Sequence, residues 1–433
     1  MADADLRNRL MQAVNDAFDD QIAFTQQMVR FPSLMGEEAE CQGFMADAMA
    51  ERGFEVDHYR VDPHRLDGHP GASGPVHDYG DAWNAVGTLN REGTGRSLIL
   101  NGHIDVVPTG RRDGWTADPF DPVIRDGWLY GRGSGDMKAG LVAGLFAHDA
   151  IRAVGMQPAG RVHLQSVIDE ECGGLAALSC LERGYRADGV VVMEPSMTSG
   201  KAIITSMLGV NWMTIRVKGA PSHASGSFGA GASAIDNAVF LHGVLKDLED
   251  DWNRDKADHS DYAGADRPIR INVGTIEGGE WRSSQPSECL MGVRFAIFPG
   301  ERLDAAHERI AGWIEARCAE HPYLSHTPPE LAFDTFRSEA YVTPEGTDLE
   351  AELLCAHRAC HGEDLKRVAT SGTADSRFYG LYDDTPALLF GPDCRGAHGF
   401  DECVNLASVR QVTQTLALFI AGWCGLEEQS DSS

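Results

Sequence analysis

The run Leu98-Ile99-Leu100-Asn101-Gly102-His103-Ile104-Asp105 constrains this chain most: an apolar, strand-like stretch ends in a histidine and an aspartate two residues apart. Side chains at i and i+2 of a strand leave the same face, so both can enter one cleft. Further apolar runs end alike. Residues 161–168 lead into Asp169-Glu170-Glu171, residues 189–193 into Glu194-Pro195, and residues 387–390 into a loop carrying His398. Strands that alternate with helical patterns, such as 138–153, predict an α/β fold with a mostly parallel sheet flanked by helices. Ligands of such sheets gather beyond the carboxyl ends of the strands, where these residues fall.

The pattern changes in the middle of the chain. A strand at 210–217, a helix at 232–252, strands at 269–275 and 289–298 and a helix at 301–320 give a β-α-β-β-α order. That order predicts a compact α+β insert similar to a split βαβ sandwich. Before it, helical periodicity covers 6–30 and 37–52; after it, a helix at 346–361 and another at 404–424 return to the first domain. The expected organisation is a catalytic domain of residues 1–207 and 324–433, with residues 208–323 inserted as a lid and dimerisation domain. Residues 427–433 read as a disordered tail.

Composition narrows the function classes. Lys and Arg number 37 against 65 Asp and Glu, a formal charge of −28, which argues against nucleic acid or an anionic membrane surface as partner. No stretch approaches the length of an apolar membrane span. Ten cysteines are scattered without a CxxC pair, and the chain begins Met1-Ala2-Asp3-Ala4-Asp5 with no leader-like pattern. A cytoplasmic protein with reduced thiols is expected.

Several segments offer chemistry. In Arg132-Gly133-Ser134-Gly135-Asp136-Met137-Lys138 the glycines permit a tight turn, and Asp136 stands where a helix begins; the run lacks the GK[ST] of a phosphate loop. Alone, Asp136 would read as a helix cap. Consecutive acids on a strand end point in opposite directions, so Glu170 and Glu171 can do different work, one on a metal and one as a base. Glu194 sits before a proline at a strand end. A lone loop histidine such as His398 is more often solvated than ligating. It is the joint set, in this order, that describes a two-metal hydrolytic site.

The set resembles the di-zinc amidohydrolase and metallopeptidase family that includes acetylornithine deacetylase, succinyl-diaminopimelate desuccinylase, aminoacylase and glutamate carboxypeptidase. The resemblance spans nearly the whole chain. It rests on HxD at 103–105, GxGDMKxG at 133–140, DEE at 169–171, the acid at 194, His223 in Gly219-Ala220-Pro221-Ser222-His223, and His398. It implies that His103 and Glu194 hold one metal, Glu171 and His398 the other, and that Asp136 bridges them. Two divalent ions per chain are implied, zinc foremost, with cobalt or manganese also suited to carboxylate-rich sites. Asp105 would fix the ring of His103 from behind. Glu170 would be the general base. His223, from the lid, would donate to the oxyanion, often across a homodimer interface. Arg377, in Gly372-Thr373-Ala374-Asp375-Ser376-Arg377, would bind a substrate carboxylate.

The chain also departs from that pattern. Relatives carry an asparagine three residues before the lid proline and an arginine about ten after it. Around Pro286 this chain has Ser283 and Ala296, with Arg294 on the same strand face as the nearest candidate for substrate binding. The altered lid favours a deacylase or deformylase acting on a small N-acyl amine. A dipeptidase or carboxypeptidase, and an N-carbamoyl hydrolase, stand as alternatives. A metal-binding protein without turnover would need a missing base or ligand, and every one is present.

Overall fold

A computed structural model describes residues 4–90, 92–196, 201–225, 231–333 and 335–429. The chain divides into two compact units, one of Met1–Thr205, Thr343–Val368 and Ala374–Ser433, the other of Ser206–Val342 with Ala369–Thr373.

The first unit is built on a large mixed sheet. Strand Gly95–His103 lies at its centre, flanked in parallel by Gly160–Val167 and Val190–Val192, and Val190–Val192 pairs in parallel with Ala387–Leu389. Val190–Val192 and Ala387–Leu389 are apolar and buried throughout, as central parallel strands covered on both faces are, whereas Gly160–Val167 alternates and buries His163, Gln165 and Ser166 among its apolar residues. Strands Trp83–Leu89 and Glu55–Arg60 extend the sheet antiparallel on one side. Helix Ala139–Ala153 is apolar nearly all round and is buried nearly throughout, as such a helix must be. It approaches the strand end at Met193 so closely that a Cβ on Gly140 would lie 2.0 Å from the Met193 carbonyl oxygen. Helix Leu406–Cys424 is capped by Asn405, whose side chain accepts from the Ser408 amide.

The expected single helix over 6–30 is two helices, Ala4–Asp16 and Phe18–Arg30, with Ala17 between them at ψ 2°. The expected disordered tail is partly ordered: Leu426–Glu428 pairs with Met156–Pro158, while residues 430–433 lie outside the described residues.

The second unit is an antiparallel sheet in the order Asn272–Gly278, Glu288–Ile297, Gly209–Lys218, Glu330–Ala332, with helices Ala234–Trp252 and Leu303–Cys318. Met213, Ile215 and Val217 point into its core while Thr214, Arg216 and Lys218 face water, the alternation of a half-buried strand. The unit runs past the expected boundary at residue 323 because Glu330–Ala332 pairs with Gly209–Lys218 and closes the sheet. Among the described residues no helix is long and apolar enough to cross a membrane.

Candidate metal centre

His103 ends its strand fully buried. Its Nδ1 meets the Asp105 carbonyl at 3.0 Å and the Asp105 carboxylate at 3.4 Å. That leaves Nε2 aimed away from Asp105, 3.4 Å from Asp136 Oδ1 and 3.4 Å from Glu194 Oε1. On the other side His398 Nε2 stands 3.5 Å from Asp136 Oδ2 and 2.9 Å from Glu171 Oε2. The two oxygens of Asp136 therefore address different histidines. Glu170 reaches the same place: one ligand atom each from His103, Glu170 and Glu194 fall within 4.8 Å of one another, as do those of His103, Asp136 and Glu171.

Local backbone aims these groups. Asp169, before the two glutamates, and His398 have φ of +67° and +62°, a region that non-glycine residues enter only when their surroundings fix them there. Asp169 is fixed by its carbonyl, which accepts from the amides of Gly173 and Gly174, and by its carboxylate, which accepts from the Leu175 amide. Asp105 Oδ2 accepts from the Glu171 amide, so this one residue steadies both His103 and the DEE turn.

The electrostatics favour a cation. Burial opposes charge on the His103 ring, but Asp105, Glu194 and Asp136 overcome it and hold its pKa well above the ordinary value. Hydrogen bonds to Asp136 and Glu171 push His398 up to about 11. Burial, then the charge of Asp136, raises Glu194 to about 8; burial and Glu194 raise Glu170. Asp136 alone is held low, against burial, by the two histidines. Nε2 of His103 is buried without a hydrogen-bond partner while facing two carboxylate oxygens. A nitrogen lone pair and converging carboxylates fit a divalent ion with N and O donors.

The remaining expected residues fall elsewhere. Arg377 is 1 % exposed, its Nη2 donates to the Gly173 carbonyl at 3.0 Å, its Nη1 lies 3.9 Å from Asp375, and it stacks on Phe378. Its guanidinium braces the turn after Glu171. His223 and Arg294 lie in the second unit. His223 is exposed and its Nδ1 accepts from the Ser225 amide. Arg294 donates to the Ser371 carbonyl at 2.8 Å.

Sequence reasoning missed three buried acids around the centre. Asp375 is raised to about 7, chiefly by burial, with Arg377 opposing. Glu38 is also raised to about 7, by burial and Asp105. Glu402, fully buried, pairs with Arg132 at 2.6 Å. None ends an apolar strand, so the signal that found the others was absent.

A mixed-sheet unit that gathers two histidines around one carboxylate has the donor set of a metal-dependent hydrolase. The chain belongs to Peptidase family M20/M25/M40, whose model matches residues 99–422. It is 31% identical over 353 residues to N-formyl-4-amino-5-aminomethyl-2-methylpyrimidine deformylase of Halalkalibacterium halodurans, covering 77% of this chain and 80% of that one. It is 28% identical over 410 residues to the deformylase of the same name from Bacillus subtilis, covering 90% of each. Its fold is similar to the dipeptidase Dug1p of Saccharomyces cerevisiae, with a TM-score of 0.80 at 16% identity over 96% of this chain and 98% of that one.

Proposed function

We propose that this chain hydrolyses the amide of a small N-acyl amine, with an N-formyl group on an aminomethylpyrimidine as the leading substrate, using two divalent ions. The observation that carries the reading is the division of Asp136 between His103 and His398. His103 and Glu194 would hold one ion, Glu171 and His398 the other, and Asp136 both. Zinc is the favoured ion, with cobalt and manganese able to replace it. When bound, such ions polarise an amide carbonyl and make water more acidic.

The protein's own groups supply the rest. A Glu170 carboxylate oxygen accepts the proton of the attacking water and later passes it to the leaving nitrogen. Its raised pKa suits a group that must hold that proton between the two steps. Asp105 keeps the His103 ring oriented. In the second unit, the Ser225 amide donates to Nδ1 of His223, which leaves the proton of the neutral ring on Nε2, a donor fit for an oxyanion.

The substrate class is supported from two sides. Both curated relatives are named for removing a formyl group from an aminomethylpyrimidine. The amine in that name has no carboxylate, and Arg377, the sequence's best carboxylate binder, is buried beneath the DEE turn. Arg294 remains the candidate contact in the second unit. That unit also carries the proposed homodimer face: strand Asn272–Gly278 lies at the sheet edge, and Ile276, Trp281, Val239 and Ile235 are exposed nearby in sequence or on the adjoining helix. Cytoplasmic residence agrees with ten unpaired cysteines.

The test is a panel on zinc- or cobalt-loaded protein: the N-formyl aminopyrimidine, N-formyl and N-acetyl amino acids, and dipeptides. Highest kcat/KM on the formylated pyrimidine is expected; preference for dipeptides would refute the assignment. Glu170→Gln should lower kcat by about 10²–10⁴ with metal content unchanged. Loss of metal instead would make Glu170 a ligand.

A further inference from the structure

We infer that the buried Arg132–Glu402 pair is a positioning device that sets the spacing of the two metal positions. The pair joins the segments that carry Asp136 and His398. Glu402 Oε1 accepts from the Gly135 amide at 3.0 Å and from the Asp136 amide at 3.1 Å, holding the bridging residue by its backbone. Its other oxygen takes Arg132 Nη1 at 2.6 Å. Arg132 Nη2 donates to the carbonyl of Gly399, the residue after His398, at 3.1 Å, and to that of Pro108 at 3.3 Å. The Glu402 carbonyl closes the loop by accepting from the Gly131 amide at 2.9 Å. One guanidinium and one carboxylate, each at most 1 % exposed, thus tie the Asp136 turn to the His398 loop.

Stability alone does not account for such a pair. Two charges taken out of water lose solvation that their attraction only roughly returns, and well-packed apolar residues often replace them at no loss. What apolar residues cannot do is accept two adjacent amides and hold a carbonyl 3.1 Å away on the next loop. Asp136 must direct one oxygen to each histidine, so a shift of either loop weakens one arm of the bridge. Residues that orient ligands in this way typically affect metal affinity 10–100-fold.

The inference rests on the reading of Asp136 and His398 as ligands, and the test separates the two. Metal-free wild type, Glu402→Gln, and the double variant Arg132→Met/Glu402→Leu are each titrated with Co²⁺ while visible absorption and calorimetric heat are recorded. Wild type is expected to take up two equivalents. If it takes up none, the metal-centre reading fails. In the variants the weaker equivalent should bind 10–100-fold less tightly, with the metal-free double variant melting within a few degrees of wild type. Excess Co²⁺ should restore part of the lost turnover. Folded variants that bind both equivalents as wild type does overturn the inference. Failure of both variants to fold would assign the pair to stability and overturn it equally.

Discussion

His148 makes a sharp test of how burial governs this protein's response to acid. The ring lies on helix Ala139–Ala153, 5 % exposed, edge-on to Phe54 at 4.7 Å, beside an apolar space lined by Leu100, Leu164 and Ile420. Burial, against one weak contact to the Arg52 carbonyl at 3.4 Å, lowers its pKa from 6.5 to about 4. The folded protein therefore keeps the ring neutral where the unfolded chain binds a proton. The ring costs nothing above the unfolded value near 6.5, and stability is lost as pH falls from there toward about 4. At about 1.4 kcal/mol per tenfold change in proton affinity, the full loss is about 3 kcal/mol, of which about 2 kcal/mol falls between about pH 6.5 and about pH 4.5. His148→Leu puts an apolar side chain of similar size in the same surroundings and removes the titration. Urea unfolding of metal-free protein, followed by fluorescence with chelator present, should give similar midpoints for both proteins at about pH 7. At about pH 4.5 the variant should be the more stable by about 2 kcal/mol. Parallel losses in the two proteins would refute the argument that burial holds this ring neutral.

Other expectations follow from the same geometry. Gly140→Ala sets a Cβ 2.0 Å from the Met193 carbonyl oxygen, a backbone atom that cannot turn aside; a loss of about 1–3 kcal/mol in thermal unfolding is expected, together with weaker metal binding because Met193 leads directly to Glu194. In the metal-free protein Glu194, at about 8, carries a proton near pH 7 that an incoming ion must displace. The rings of His103 and His398, both held well above their ordinary range, must give up protons as well, so calorimetry of zinc binding in buffers of different ionisation enthalpy should report net proton release, and affinity that climbs with pH; zero release would contradict the reading of these groups as ligands. His223→Ala should lower kcat by about 10²–10³ while leaving metal stoichiometry at its wild-type value, as measured by elemental analysis.

How much of this could be read from the chain differs by residue for physical reasons. His103, Glu170, Glu171 and Glu194 were legible because each closes a strand-like run, and ligands of parallel strands gather beyond their carboxyl ends. Asp136 and His398 depended on the order of the whole set, since either alone reads as a cap or a solvated side chain. Arg132 and Glu402 were invisible as a pair: 270 positions separate them, and no periodicity marks a long-range ion pair. Arg377 was legible as an arginine but not as a buried one, because sequence does not say where a guanidinium's donors are spent. The break at Ala17 has neither proline nor glycine to announce it. The three-residue strand Glu330–Ala332 is too short to carry a pattern, which is why the insert seemed to end early.

Every side chain of the ion cluster is furnished by the first unit, whereas Ser283, Arg294 and Ala296 all belong to the second. On the reading proposed above, a chimera carrying the insert of another relative should keep its metal stoichiometry while changing which amine it accepts.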